Sequence, residues 1–347
     1  MFPSIMARFN VSPETINCGC CENSLVPELG YSICQRWAGI VSRTVGPIIA
    51  KREQYKALVK SASDPGKRAA YDARKTALKW MLVTCFGYQG FKNARFGRIE
   101  AHEAINCFGR DRLLMAKDLA ESQGYAVLHA LVDSLYLWKQ GAVAADYQKL
   151  AQEIAAATGL PMDVEGVYRW IVFVPSKTSP RIGVPNRFFG VTEEGKLKVR
   201  GIEMRRHDCV PLVAEMQEEI LTVLAQAANR TEYMRMLETA MRILEAYVTR
   251  VRDGDVTAAD LAISKRLTQY PEQYAHGTHN AIAAQSLQAR GVRLRPGETV
   301  EYVIADAGAK IPCERVRPLA MASDNLAYDA REYERFLREA FHVFVPQ

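Results

Sequence analysis

Apolar positions recur at helical spacing through Val45, Ile48, Ile49, Tyr55 and Val59, stop at SASDPGK, and resume through Tyr71, Leu78, Met81, Leu82, Cys85 and Phe86. This pattern predicts a helical hairpin. Between Tyr125 and Leu137 the periodicity changes: YAVLHALVDSLYL reads as two alternating stretches that meet at Asp133 and Ser134, a β-hairpin with a carboxylate at its tip. Helical patterns flank it at Arg110 to Gln123, ended by Gly124, and at Ala145 to Thr158, ended by Gly159. The segment from Met162 to Lys198 is rich in Val, Ile, Phe and Tyr and is interrupted by SKTSPRIGVP, so strands around a loop are expected. Helices alternating with strands indicate a mixed α/β (α+β) layered domain.

A composition boundary lies near Pro211, and the chain beyond it reads as mostly helical. Leu237, Ala240, Ile243, Leu244, Tyr247, Val248 and Val251 form one amphipathic stripe. Thr257 and Asp260 are expected to open the next helix as a capping box, and Gly291 to end a helix that starts near Thr278.

Periodicity also sorts the polar residues. Arg52 and Lys56 share a face of the first hairpin helix, and Lys79, Val83 and Phe86 share a face of the second. Asp163 and Glu165, two apart in PMDVEG, are expected on one face of a strand. Solvated charged faces account for the same spacings, so chemistry needs further support.

Bulk properties bound the class. The chain has 347 residues, 48% of them hydrophobic, enough to bury a sizeable core in two or three compact units. Its 45 basic and 39 acidic residues leave a net charge of +6, which admits a polyanionic partner without requiring one. No run approaches the roughly 18 apolar residues of a membrane helix, and the opening MFPSIMARFN lacks a secretory h-region, so no membrane partner and a cytoplasmic location are expected. Of eight cysteines, Cys85, Cys107, Cys209 and Cys313 are scattered, whereas Cys18, Cys20, Cys21 and Cys34 fall within 17 residues. Those four suit zinc or an iron-sulfur cluster if the chain folds back between Cys21 and Cys34; otherwise they are reduced loop thiols.

Five segments, in collinear order over nearly the whole chain, resemble family B DNA polymerases. FPSIMARFNVSPETINC is similar to motif A, KWMLVTCFG and the following GYQGFKNARFG to motif B, and HALVDS to motif C, usually Y-G-D-T-D-S. PNRFFGVTEEGKLKVRGIEMRRHD looks like the palm-to-thumb segment and HGTHNAIAAQSLQARGVRLRPGETVEYVI like the thumb. Motif C and NRFFG look like a divergent archaeal and bacterial branch. The resemblance implies a palm from 1–34 and 93–210, helical-hairpin fingers at 35–92 and a mostly helical thumb at 211–347.

It also implies roles. Asp133 would ligate two Mg²⁺ ions, with Asp163 and Glu165 nearby, because hard divalent ions take carboxylate oxygens. Phe2 would press on the nucleotide sugar; Arg52, Lys56 and Lys79 would hold the dNTP triphosphate, with Val83 and Phe86 beside it. Tyr88, Gly87 and Gly90 would approach the nascent base pair, and Lys198, Arg200, Arg205 and Arg206 would hold the phosphates of primer-template DNA.

Departures from the family pattern limit those roles. The motif A Asp should stand just upstream of Met1, Leu131 and Val132 replace the first Asp and the Thr of motif C, and Val83 and Phe86 replace the Asn and Tyr of motif B. The family's N-terminal and exonuclease portions have no counterpart here, so truncation of a longer enzyme is expected, ahead of a split subunit or a degenerate homologue. Such a chain alone would bind Mg²⁺ poorly and synthesise little DNA. The alternative is a noncatalytic DNA-binding or assembly subunit that kept the polymerase shape.

Overall fold

The computed structural model describes every residue except 177, 180, 181, 323–326 and 346–347. The chain divides into two compact units, Met1–Glu165 and Gly166–Gln347. Among the described residues no helix is long and apolar enough to cross a membrane.

In the first unit α1 (Phe2–Arg8) precedes a helical hairpin of α2 (Ile40–Ser61) and α3 (Pro65–Gln89), then α4 (Ile99–Ser122), β1 (Ala126–Leu131), β2 (Ser134–Trp138) and α5 (Ala144–Thr158). Asp64 starts α3 by accepting a hydrogen bond from the Lys67 backbone N–H at 2.6 Å, with Pro65 as the first helical residue. Ile5 and Met6 of α1 anchor the core among Val45 of α2, Leu82 of α3, and Ile105 and Phe108 of α4. Only Ser42 and Val45 of α2 and Leu82 and Gln89 of α3 are buried, so the outer parts of both arms are solvated and rest on each other. A second cluster, Ala116, Ala120, Tyr125, Leu150 and Ile154, seats α5 against α4 and the start of the β-hairpin. The fourth helix starts well before Arg110, where the pattern placed it. Gly109 interrupts the apolar stripe, yet the helix runs through it.

The second unit opens with an antiparallel sheet, order β3-β4-β5, of β3 (Tyr168–Pro175), β4 (Gly183–Thr192) and β5 (Leu197–Arg200). After α6 (Pro211–Leu224) and α7 (Arg230–Asp253), a second antiparallel sheet forms from β6 (Ile263–Arg266), β7 (Thr299–Ile304) and β8 (Val316–Pro318), with α8 (His279–Gln288) and the short α9 (Pro312–Arg315) between strands and α10 (Ala330–Phe341) after them. Its core joins Trp170 and Phe189 of the first sheet to Met216, Ile220, Tyr233, Val248 and Phe344. The indole of Trp170 donates to Ala227 O at 3.0 Å, and Tyr233 Oη to Phe344 O at 2.7 Å, which satisfies both polar tips inside that core.

Two expectations are corrected. Thr257 and Asp260 do bond, Thr257 N–H and Oγ1 both donating to Asp260 Oδ2 at 2.8 Å, but they close a turn into β6 instead of opening a helix. The chain beyond Pro211 is mostly helical, as expected, and also holds a three-stranded sheet, because TVEYVI alternates exposed and buried positions before its buried end. Asp163 and Glu165 are not on a strand: 161–167 is irregular between Pro161 and Gly166, and β3 begins only at Tyr168.

Candidate active site

Asp133 sits at the end of the β1–β2 hairpin, whose last paired residues are Leu131 and Ser134. Asp133 N–H donates to Leu131 O at 2.6 Å, closing a three-residue γ-turn, and Val132 between them has φ +52°. A β-branched residue in that left-handed region costs about 1–3 kcal/mol. Ser134 Oγ donates to Leu131 O at 3.1 Å and braces the same turn. The carboxylate is left 56% exposed, with the Met1 amino nitrogen 3.7 Å from Oδ2.

Next to Met1, the ring of Phe2 stacks on Phe86 with centroids 4.2 Å apart, and Phe86 stacks in turn on His102 at 4.5 Å. The start of α1, the end of α3 and the hairpin tip therefore meet in one place, although they are far apart in sequence. Two glycines make the approach possible. A Cβ on Gly109 would lie 3.0 Å from Met1 Cε and 3.3 Å from Phe2 Cε1, and one on Gly90 would lie 3.0 Å from the His102 ring.

Lys79 and Val83 are solvent-exposed on α3, as are Trp80 and Tyr88. On α2, Arg52 and Lys56 share the carboxylate of Glu53, at 3.1 and 3.6 Å. Arg52 Nε is buried and makes no hydrogen bond. Lys56 also donates to Asp163 Oδ2 at 2.6 Å. This bond and charge hold the Asp163 carboxyl below its ordinary range and raise the Lys56 ammonium. Asp163 is thus a partner of a cation on α2.

In the second unit, Lys198 and Arg200 lie on β5, opposite Gly190 and Phe188 of β4. Arg205 is exposed, and Arg206 grips Asp208 through two bonds of 2.9 and 3.0 Å. Lys265 also bonds Asp208. The Arg206 bond first, and then Lys265, hold the Asp208 carboxyl down at about 2. Buried Gln217 fixes the segment before Arg205, accepting from Met204 N–H at 2.8 Å and donating to Glu203 at 3.0 Å and Ala340 O at 2.9 Å.

The family model described as DNA polymerase family B matches residues 1–343. The chain belongs to DNA polymerase family B. Among its relatives, a DNA polymerase of Thermococcus sp. (strain 9oN-7) is 29% identical over 342 residues, covering 96% of this chain and 42% of the relative. A DNA polymerase of Archaeoglobus fulgidus is 28% identical over 327 residues, 93% of this chain and 39% of the relative. The fold is similar to that of the family B DNA polymerase from the hyperthermophilic archaeon Pyrobaculum calidifontis, with a TM-score of 0.67 and 24% identity over 99% of this chain and 44% of that one. This family B chain spans less than half the length of these relatives.

Family B enzymes use divalent metal ions, yet among the described residues no group of three carboxylate or imidazole ligands gathers around Asp133. By themselves, the described residues do not gather the oxygen ligands that a pair of such ions takes. The four clustered cysteines do come together, and their sulfurs all lie within 4.8 Å of one another. Two residues beside the candidate site were not singled out from the sequence. Glu53 carries no local signal beyond being one charge among many on α2, and His102 shows its place only through the spacing His102, Ile105 and Gly109, which puts it on the α4 face toward Phe86 and Phe2.

Proposed function

We propose that this chain is the catalytic region of a DNA-directed DNA polymerase, adding dNTPs to a primer 3′-hydroxyl on a template. The observation that carries the reading is the convergence of Asp133, Phe2 and Phe86, the counterparts of motifs C, A and B. In this reading 1–34 and 93–210 act as palm, 35–92 as fingers and 211–347 as thumb. The Phe2 ring, backed by Phe86, closes one side of the sugar pocket against a 2′-hydroxyl. Arg52, Lys56 and Lys79 take the triphosphate, and the unpaired buried Nε of Arg52 is a donor that an incoming phosphate oxygen satisfies. Val83 lines the same nucleotide pocket, and Tyr88 and Gly90 face the nascent pair. Lys198, Arg200, Arg205 and Arg206 hold duplex phosphates, which serves an enzyme that must accept any sequence.

Asp133, with Glu165 as a further candidate, would hold divalent ions that would activate the primer hydroxyl and neutralise the leaving pyrophosphate, but two such ions take more oxygen ligands than these residues supply. A second carboxylate upstream of Met1 and an N-terminal, exonuclease-bearing portion are the proposed complements, and this chain alone is expected to synthesise little or no DNA. A second reading, a noncatalytic DNA-binding or assembly subunit, is favoured by the sparse carboxylates around Asp133.

The catalytic reading and the DNA-binding reading both require primer-template binding. Fluorescence anisotropy across a salt series should give an affinity that falls steeply with salt, and a Lys198→Ala, Arg200→Ala double variant should weaken binding and flatten the slope by about two counterions. Absence of duplex binding at low salt would contradict both.

A further inference from the structure

The loop between α1 and α2 is built as a cage of sulfur. Cys20 Sγ lies 3.1 Å from Cys18, 3.9 Å from Cys21 and 3.6 Å from Cys34. Four thiolates on one tetrahedral zinc, at about 2.3 Å from the metal, stand about 3.8 Å from one another. The cage therefore has the size of a single ion. A four-iron cluster gives each thiolate its own iron and spreads the sulfurs wider.

The backbone around the cage is fixed without help from the sulfurs. Ile16 and Ile33 form an antiparallel bridge, and the Asn17 carbonyl side chain accepts Ser32 N–H at 3.0 Å. The Asn23 amide pairs with Ile33 twice, at 2.9 Å each way. Gly19, between two of the cysteines, has φ +70°, with nothing within 4 Å of where a Cβ would stand. The turn, and not crowding, requires glycine there, and it lets Cys18 and Cys20 face the same point. Gln35 N–H donates to Cys21 Sγ at 3.4 Å, the kind of outer bond that orients and stabilises a metal-bound thiolate. All four cysteines are free of disulfides.

We propose that Cys18, Cys20, Cys21 and Cys34 bind one zinc ion in a structural tetrathiolate site. Binding exchanges the thiol protons for Zn²⁺ and involves no electron transfer. The ion cross-links the ends of the loop that leads into α2. Asn10 continues that link, donating to Cys34 O at 2.9 Å and accepting Gly39 N–H at 2.8 Å at the start of α2. The zinc would thus stiffen the base of the helix that carries Arg52 and Lys56. The inference stands on the loop alone, independently of the polymerase reading.

The test is metal analysis of the full chain, purified reduced from zinc-supplemented cells without chelators, followed by replacement with Co²⁺. One zinc per chain, and sulfur-to-cobalt charge-transfer absorption of tetrathiolate intensity, are expected. Cys34→Ser should lose stoichiometric zinc while Cys85→Ser, outside the cage, keeps it. If Cys34→Ser fails to fold, the cobalt spectrum of the unaltered chain decides. Substoichiometric zinc with four alkylatable thiols, iron in place of zinc, or a Cys18–Cys20 disulfide in the reduced preparation would overturn the proposal.

Discussion

Lys56 on α2 and Asp163 in the segment after α5 form a 2.6 Å ion pair across 107 residues of sequence. The pair occupies a cation that the proposed function needs for the triphosphate, so nucleotide must compete with Asp163 for Lys56. Asp163→Asn is expected to tighten dNTP binding by about two- to fivefold, the equivalent of a surface pair worth at most about 1 kcal/mol. The two side chains are 36% and 78% exposed, so the melting temperature should barely move. Calorimetric titration with a dNTP checks this; weaker binding by Asp163→Asn would mean that Asp163 helps to bind nucleotide.

Acid stability should depend on Asp208. Its folded carboxyl is held at about 2, below the unfolded value of about 3.9, so its contribution is present above that value and is lost as pH falls toward 2. Because Arg206 and Lys265 are partly exposed, the contribution is about 1–2 kcal/mol at neutral pH. Urea unfolding of Asp208→Asn between pH 2 and 7 should show that loss at neutral pH and convergence with the unaltered chain in acid.

How far the sequence led is clearest in these two acids. The β-hairpin and its tip were legible because strand alternation and turn chemistry act over a few neighbouring residues, and the helical arms were legible from their period. Asp163 was not: its partner lies on another element, and no local pattern encodes that meeting. Asp208 was not legible either, because its grip on Arg206 and Lys265 needs β6 folded alongside. The four cysteines were legible as a group, but Gly19 and the Asn23–Ile33 pairing, which close the cage, were not.

The Phe2–Phe86 stack should couple energetically. A double-mutant cycle with Phe2→Leu and Phe86→Leu, read by urea unfolding, is expected to give about 0.5–1.5 kcal/mol of interaction beyond lost area. Additive losses would show that the rings touch without mutual preference.

Relief of the strained turn is also measurable. Val132→Asn, which tolerates positive φ, should stabilise the chain by about 1 kcal/mol. A loss of stability there would mean that Val132 packing outweighs its backbone conformation.

Primer extension tests the central claim most directly. This chain, a version extended upstream through a motif A carboxylate, and the extended version with Asp133→Ala are each given primer-template DNA, dNTPs and Mg²⁺. The account predicts extension by the longer form, and little or none by the other two. Silence from all three with duplex binding intact, or extension that survives Asp133→Ala, would contradict it.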